Sequence, residues 1–273
     1  MIEGTARSHL TDRALGIAYG ALTQVLFVVT VWYLFWFLWG DLPSMHVPNL
    51  WIDAVLALQF TVPHSVLMLP AVKRYLQPLI RPEFYGLFYC VVTCVSLLIM
   101  FALWQPSTTI VWAFEGSAAA IVRVAFFASW GALFYSLHLT GLGYQTGLTP
   151  WIYWLRQQKP PRRDFVPQGV YKWMRHPVYL SFLGLIWFTP RMTLDHAVLT
   201  GIWTVYIFIG SHLKDERLAY YLGNSYRKYQ ASVSGYPLIG FGELGRRPFI
   251  EVNEPHDTHT ALPAIGRGNK RDT

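Results

Sequence analysis

Charge is scarce in this sequence of 273 residues, where Asp, Glu, Lys and Arg together make up only 14%. A soluble domain carries about 25% charged residues, so an ordinary water-soluble fold is excluded. The 53% hydrophobic content excludes a disordered chain as well. Cysteine is equally sparse. The 2 present, Cys90 and Cys94, stand four apart in an apolar run, on one face of a helix, as small core hydrophobes. Neither a disulfide framework nor a zinc pattern can be built from them. A cleavable signal is missing too: the apolar run from Ile17 to Trp39 exceeds the roughly 7–15 residues of a signal core and lacks a small-residue cleavage site. Gly141-Leu-Gly143-Tyr-Gln-Thr-Gly147 follows an apolar helix instead of a strand, so it fails the context of a dinucleotide loop.

Apolar and aromatic residues are abundant. The mean hydropathy is +0.29, and 12 Trp among 16% aromatics suit anchors at a membrane–water interface. Six apolar segments can be read, at about 17–39, 51–70, 84–104, 119–142, 178–190 and 196–213, against the roughly 20 residues a crossing needs. The last two form a helical hairpin whose first arm is short. The fold expected is therefore all-α: a polytopic integral-membrane bundle of about six segments, a single domain over 1–242. From 243 to 273 the chain is rich in Gly, Pro and charge and reads as a flexible tail.

The formal net charge of +7 does not point to nucleic acid. Lys73, Arg74 and Arg81 fall in one loop, and Arg156, Lys159, Arg162, Arg163, Lys172 and Arg175 in another, while the loops with Asp41 and Glu115 lean acidic. Such alternation follows the positive-inside rule. It places the basic loops and both termini in the cytoplasm. Trp151 to Leu155, inside the long polar loop, reads as a short interfacial helix.

Candidate chemistry gathers at Arg175-His176-Pro177-Val-Tyr179 and Asp215-Glu216-Arg217. Pro177 suits the first position of a helix. That puts His176 at the cap, beside free backbone N–H groups and the positive end of the helix dipole, a place for a carboxylate or phosphate. Arg175 adds a planar fork of donors. Two crossings return the chain to the same side, so Glu216 and Arg217 meet this group. Each residue alone could be an interfacial anchor, whereas the ensemble suits a zwitterionic ligand with an amino-acid head. His64, inside the second segment, needs a partner there and could position or deprotonate a thiol. Paired with His138 it would alternatively suggest a haem or metal site, but no ligand spacing supports one.

Arg175-His176-Pro177-Val-Tyr179, Asp215-Glu216-Arg217-Leu218 and Gly223-x-x-Tyr226-x-x-Tyr229 together resemble the signature of the isoprenylcysteine carboxyl methyltransferase superfamily. The chain is most similar to the bacterial branch that includes methanethiol S-methyltransferases and NnrU-like proteins. Pro63-His64-Ser65 and Trp187-Phe-Thr-Pro190-Arg-Met-Thr193 extend the resemblance beyond the 169–240 region. It implies a membrane enzyme that uses S-adenosyl-L-methionine (SAM) to methylate a small or lipophilic acceptor, a thiol by preference. The alternatives are an NnrU-type protein without methyl transfer and a carboxyl methyltransferase. By the same resemblance Gly169, Tyr171, Arg175, His176, Pro177, Tyr179 and Glu216 border the cofactor. Glu216 and Arg217, with His64, are the catalytic candidates, and no metal is expected. Two departures stand out: Asp215 replaces a Glu, and Tyr135 to Gly141 lacks the acidic residues of the methanethiol branch.

Overall fold

The computed structural model describes residues 2–40, 47–161 and 165–252. Asp41, Arg162, Arg163 and the segment 253–273, which figure in the loop-charge and tail readings, lie outside the described residues.

The described chain is almost entirely helical. Its helices are α1 (Ile2–Trp39), α2 (Leu50–Val66), α3 (Pro70–Leu76), α4 (Tyr85–Leu103), α5 (Gly116–Thr140), α6 (Leu142–Gln145), α7 (Leu148–Leu155), α8 (Pro177–Trp187) and α9 (Leu194–Ser232). Four of them, α1, α4, α5 and α9, are long and apolar enough to cross a membrane. The pair α2–α3, bent by 77°, makes a fifth if taken as one span. The bend has a local cause: Pro63 interrupts α2 and Pro70 opens α3. At 11 residues, α8 is too short to span by itself.

The bundle is apolar on both sides of its helices. Leu38, Ala57, Met100, Phe126, Leu185 and Leu199 pack in the interior, while Leu22, Val25, Trp32, Ile121, Val124 and Val205 face outward. An exterior this apolar suits lipid and would be a liability in water.

Helix ends explain how the chain is punctuated. Asn49 caps α2 by accepting from the N–H groups of Trp51 and Ile52 at 3.1 and 3.4 Å. Gly141 ends α5 at φ +80. At the end of the molecule away from Arg175, strands β1 (Ile110–Ala113) and β2 (Arg191–Thr193) pair antiparallel. Asp195 accepts there from the Trp104 indole at 2.8 Å and the Ser107 N–H at 3.0 Å, and Asp53 accepts from Gln105 N–H at 2.9 Å. These bonds tie α2 and α9 to the segment that leads from α4 into β1.

At the other end α7 lies against α1. A Cβ on Gly20 would stand 2.1 Å from Trp151 Cε2, and one on Gly16 would stand 2.4 Å from Trp154 Cη2. The Trp151 indole donates to the Gly16 carbonyl at 2.9 Å. Two glycines one turn apart thus form the notch that seats two indoles. Gly20→Leu should therefore destabilise by about 1–3 kcal/mol through overpacking. Gly201→Leu, with nothing within 4 Å of its Cβ position, should melt near the parent temperature. Thermal unfolding of both variants in detergent checks the contrast, and equal melting would refute the notch.

Candidate active site

The Arg175-His176 segment is held by a second strand of chain. Arg175 N–H donates to Ser234 O at 2.9 Å and His176 N–H to Gly235 O at 3.1 Å. The close approach requires glycine at 235, where a Cβ would lie 2.3 Å from Leu244 O and 3.0 Å from the His176 ring.

Arg175 is fully buried, and its guanidinium is spent entirely on protein acceptors. Nε and Nη2 donate to Asp215 Oδ2 at 3.1 and 2.7 Å. Nη1 donates to the carbonyls of Gln230, Val233 and Gly245 at 3.1, 2.5 and 2.9 Å. Tyr226 donates to Asp215 Oδ1 at 2.5 Å. Arg175 therefore borders the site as its frame, locking the helix start, α9 and the segment after α9 together. Asp215, which the motif presents as a mere substitute for Glu, is the hub.

His176 is also completely buried. Its Nε2 lies 3.2 Å from Asp215 Oδ2, while Nδ1 has no hydrogen-bond partner. Burial holds the imidazole below its ordinary pKa against the opposing pull of Asp215, so the ring is neutral near pH 7. Tyr179 meets it edge-on at 5.6 Å and Tyr236 lies at 5.3 Å. Pro177 opens α8 as the sequence predicts, and His176 is its N-cap without a side-chain cap bond. Helix geometry leaves the N–H groups of Val178 and Tyr179 without intrahelical acceptors.

Gly169 opens a single 3-10 turn, Gly169–Lys172, at φ +52, and a Cβ there would stand 2.5 Å from the Tyr135 hydroxyl. Both conditions demand glycine. Tyr171 follows; its carbonyl accepts from Tyr229 and its hydroxyl donates to Ser136 O at 3.4 Å. Burial pushes the Tyr171 phenol up to about 12, so it stays protonated.

Glu216 is exposed and paired with Arg247 Nη1 at 2.5 Å. Arg247 Nη2 also reaches Glu243 at 2.7 Å and His212 Nδ1 at 2.9 Å. The ligand atoms of His212, Glu216 and Glu243 lie within 4.8 Å of one another, but around a guanidinium that already neutralises both carboxylates. Asn224 continues the contact by bonding both backbone groups of Val252, at 3.0 and 3.2 Å. The described part of the presumed tail, 243–252, thus packs back along α9.

His64 sits apart from this group, half-buried between helices. A ring nitrogen meets the Tyr89 hydroxyl at 2.9 Å, and Nδ1 lies 3.3 Å from Thr93 Oγ1. Phe60 and Tyr206 rings complete its surroundings at 5.2 and 6.3 Å. Arg217 links the two regions: its guanidinium is within electrostatic reach of His64, Tyr89 and Tyr179. His138 is exposed near the end of α5. Asp215 and Tyr226 stand in the sequence motifs without an individual role there, and Tyr89 and Arg247 stand in none. Only Asp215 and Tyr226 carried a signal, as members of the quoted motifs.

Comparisons with known proteins complete this picture. No family model matches the chain, and no solved structure does. Methanethiol S-methyltransferase of Pseudomonas deceptionensis is 33% identical over 183 residues, covering 67% of this chain and 70% of that protein. The protein of the same name from Pseudomonas sp. (strain GM41(2012)) is 32% identical over 237 residues, covering 82% and 90%. Nurim of Danio rerio is 25% identical over 178 residues, covering 62% and 64%. At this identity and coverage, and with helices apolar enough to cross a membrane, the chain belongs to the methanethiol S-methyltransferase family.

Proposed function

We propose that this protein transfers a methyl group from SAM to a small apolar thiol within the membrane, methanethiol being the acceptor named for its relatives. The observation that carries this reading is His176, wholly buried at the start of α8 with Nε2 beside Asp215 and Nδ1 without a partner. An unpartnered buried polar group calls for a ligand or an explanation.

The surrounding residues fit such a donor. His176 and the free N–H groups at the start of α8 suit a carboxylate, and Glu216 suits an ammonium. Tyr171 and Tyr179 offer ring faces to a cation, while Gly169 and Pro177 set the backbone that borders them. Arg175 holds all of these in place. When bound, SAM supplies a methyl group on a sulfonium sulfur, and that bond breaks with its electron pair left on the sulfur as the acceptor sulfur takes the methyl. Removing the acceptor's proton falls to His64, whose ring Tyr89 orients, and Arg217 stabilises the resulting thiolate. Alignment in a dry site provides most of the remaining acceleration.

The same reading assigns six segments, with α8 and α9 as the hairpin. It sets the Arg175 end in the cytoplasm, where SAM is made. Lys73, Arg74, Arg81, Arg156, Lys159 and Lys172 all belong to that end, and Asp53, Glu115 and Asp195 to the other.

Binding of labelled SAM to the full chain in nanodiscs tests the proposal. The parent should bind saturably, and His176→Ala and Glu216→Ala should each lower affinity at least about tenfold, the loss of roughly one charge-assisted hydrogen bond. No binding by the folded parent would overturn it.

A further inference from the structure

Lys214 precedes the Asp215 hub and belongs to no motif. Its ammonium lies over two tyrosine rings, 5.5 Å from the centroid of Tyr179 and 5.7 Å from that of Tyr171. The rings come from different elements and are fixed by their hydroxyls, Tyr179 to Gly210 O at 3.2 Å and Tyr171 to Ser136 O at 3.4 Å. Among the described residues no carboxylate lies within 4.0 Å of the ammonium: Asp215 is engaged by Arg175 and Tyr226, and Glu216 by Arg247. Asp215 attracts the ammonium from beyond that distance, while Arg217 and Arg175 repel it. With no carboxylate in contact and two guanidinium groups nearby, the ammonium has the two ring faces as its direct contacts.

We propose that Tyr171 and Tyr179 form a slot for a monovalent organic cation, held in the free chain by Lys214 and surrendered to the donor's sulfonium when the donor binds. The inference rests on the SAM reading and extends it. Lysine is suited to the part, because its ammonium rides on a flexible stem that can swing to water. Ring faces attract a sulfonium but give little to a neutral thioether. Methyl transfer removes the positive charge from the donor sulfur, so S-adenosylhomocysteine loses the attraction and Lys214 can return. The slot thus favours substrate over product, since Lys214 reoccupies the rings beside the neutral thioether.

The test measures the affinities of SAM and S-adenosylhomocysteine for the full chain in nanodiscs, by calorimetry. In Lys214→Met the competitor is gone: SAM should bind about 3- to 10-fold tighter and S-adenosylhomocysteine about as before, the span of a cation–π contact. Tyr179→Leu should shrink the preference for SAM, and Tyr179→Phe, which keeps the ring, should retain it. Equal weakening of both ligands in Lys214→Met would overturn the inference, since it would make the lysine a holder of their common carboxylate. Unchanged affinities would overturn it as well. Failure of the parent to bind either ligand would instead refute the SAM reading itself.

Discussion

Arg175→Met should lower stability by about 3–5 kcal/mol, because it strands a buried carboxylate. The side chains of Arg175 and Asp215 are both wholly buried, and the ion pair at 2.7 Å is the centre of the site. Methionine fills much of the volume but donates nothing. Asp215 would keep only Tyr226 as an aligned donor, and the carbonyls of Gln230, Val233 and Gly245 would lose theirs. Asp215→Asn should cost less, since the amide keeps its shape and can still accept from Tyr226, although it leaves the guanidinium charge uncompensated. For a protein of this size the larger loss corresponds to roughly 6–20 °C in melting temperature. Cys90 and Cys94 are free and buried, so labelling them with a thiol-reactive fluorophore during heating in detergent reports unfolding directly. A parent-like melting curve for Arg175→Met would show that the pair does not hold the site together.

The second large effect is on chemistry and leaves the donor site intact. His64→Gln should slow methylation of an alkanethiol by at least about 100-fold, the usual contribution of a positioned base, with SAM affinity unchanged. His64 lies among Tyr89, Thr93 and Phe60, away from the Arg175–Asp215 frame. A thiol that is already ionised needs no base. An acidic aromatic thiol should therefore be methylated by His64→Gln at close to the parent rate. Equal loss with both thiols would remove His64 from proton transfer and leave it a packing role.

The placement of the motif residues was readable because their neighbours in sequence state the local structure. Proline after histidine announces a helix start, and a charged triplet ending an apolar run announces a membrane boundary. The partners were not readable in the same way. Arg175 reaches Asp215 across 40 residues and the Gly245 carbonyl across 70, and hydropathy patterns carry no information about such pairings. Arg247 and Glu243 lie in a stretch whose composition resembles a tail, yet side-chain bonds to Glu216, His212, Arg175 and Asn224 dock it. The segment count shows the same limit. The run at 178–190 is apolar enough to be noticed, but the Thr189-Pro190 break shortens α8 to 11 residues, and periodicity cannot say how deep a short helix lies. The altered Tyr135 to Gly141 stretch proves to be the surface on which the Gly169–Tyr171 turn rests, a packing role that needs no acids.

The strand pair has a bearing on how the protein moves. With β1 and β2 paired, and with Asp53 and Asp195 holding the loop after α4, the α8–α9 hairpin is clamped at its closed tip. Its open mouth is latched by a handful of polar contacts around Asp215 and Arg247. A hairpin fixed in this way behaves as a spring clip, and deformation concentrates where the latch is. On the proposed function, donor and product would exchange through the mouth, where few bonds must break, and the paired tip would keep the two arms together.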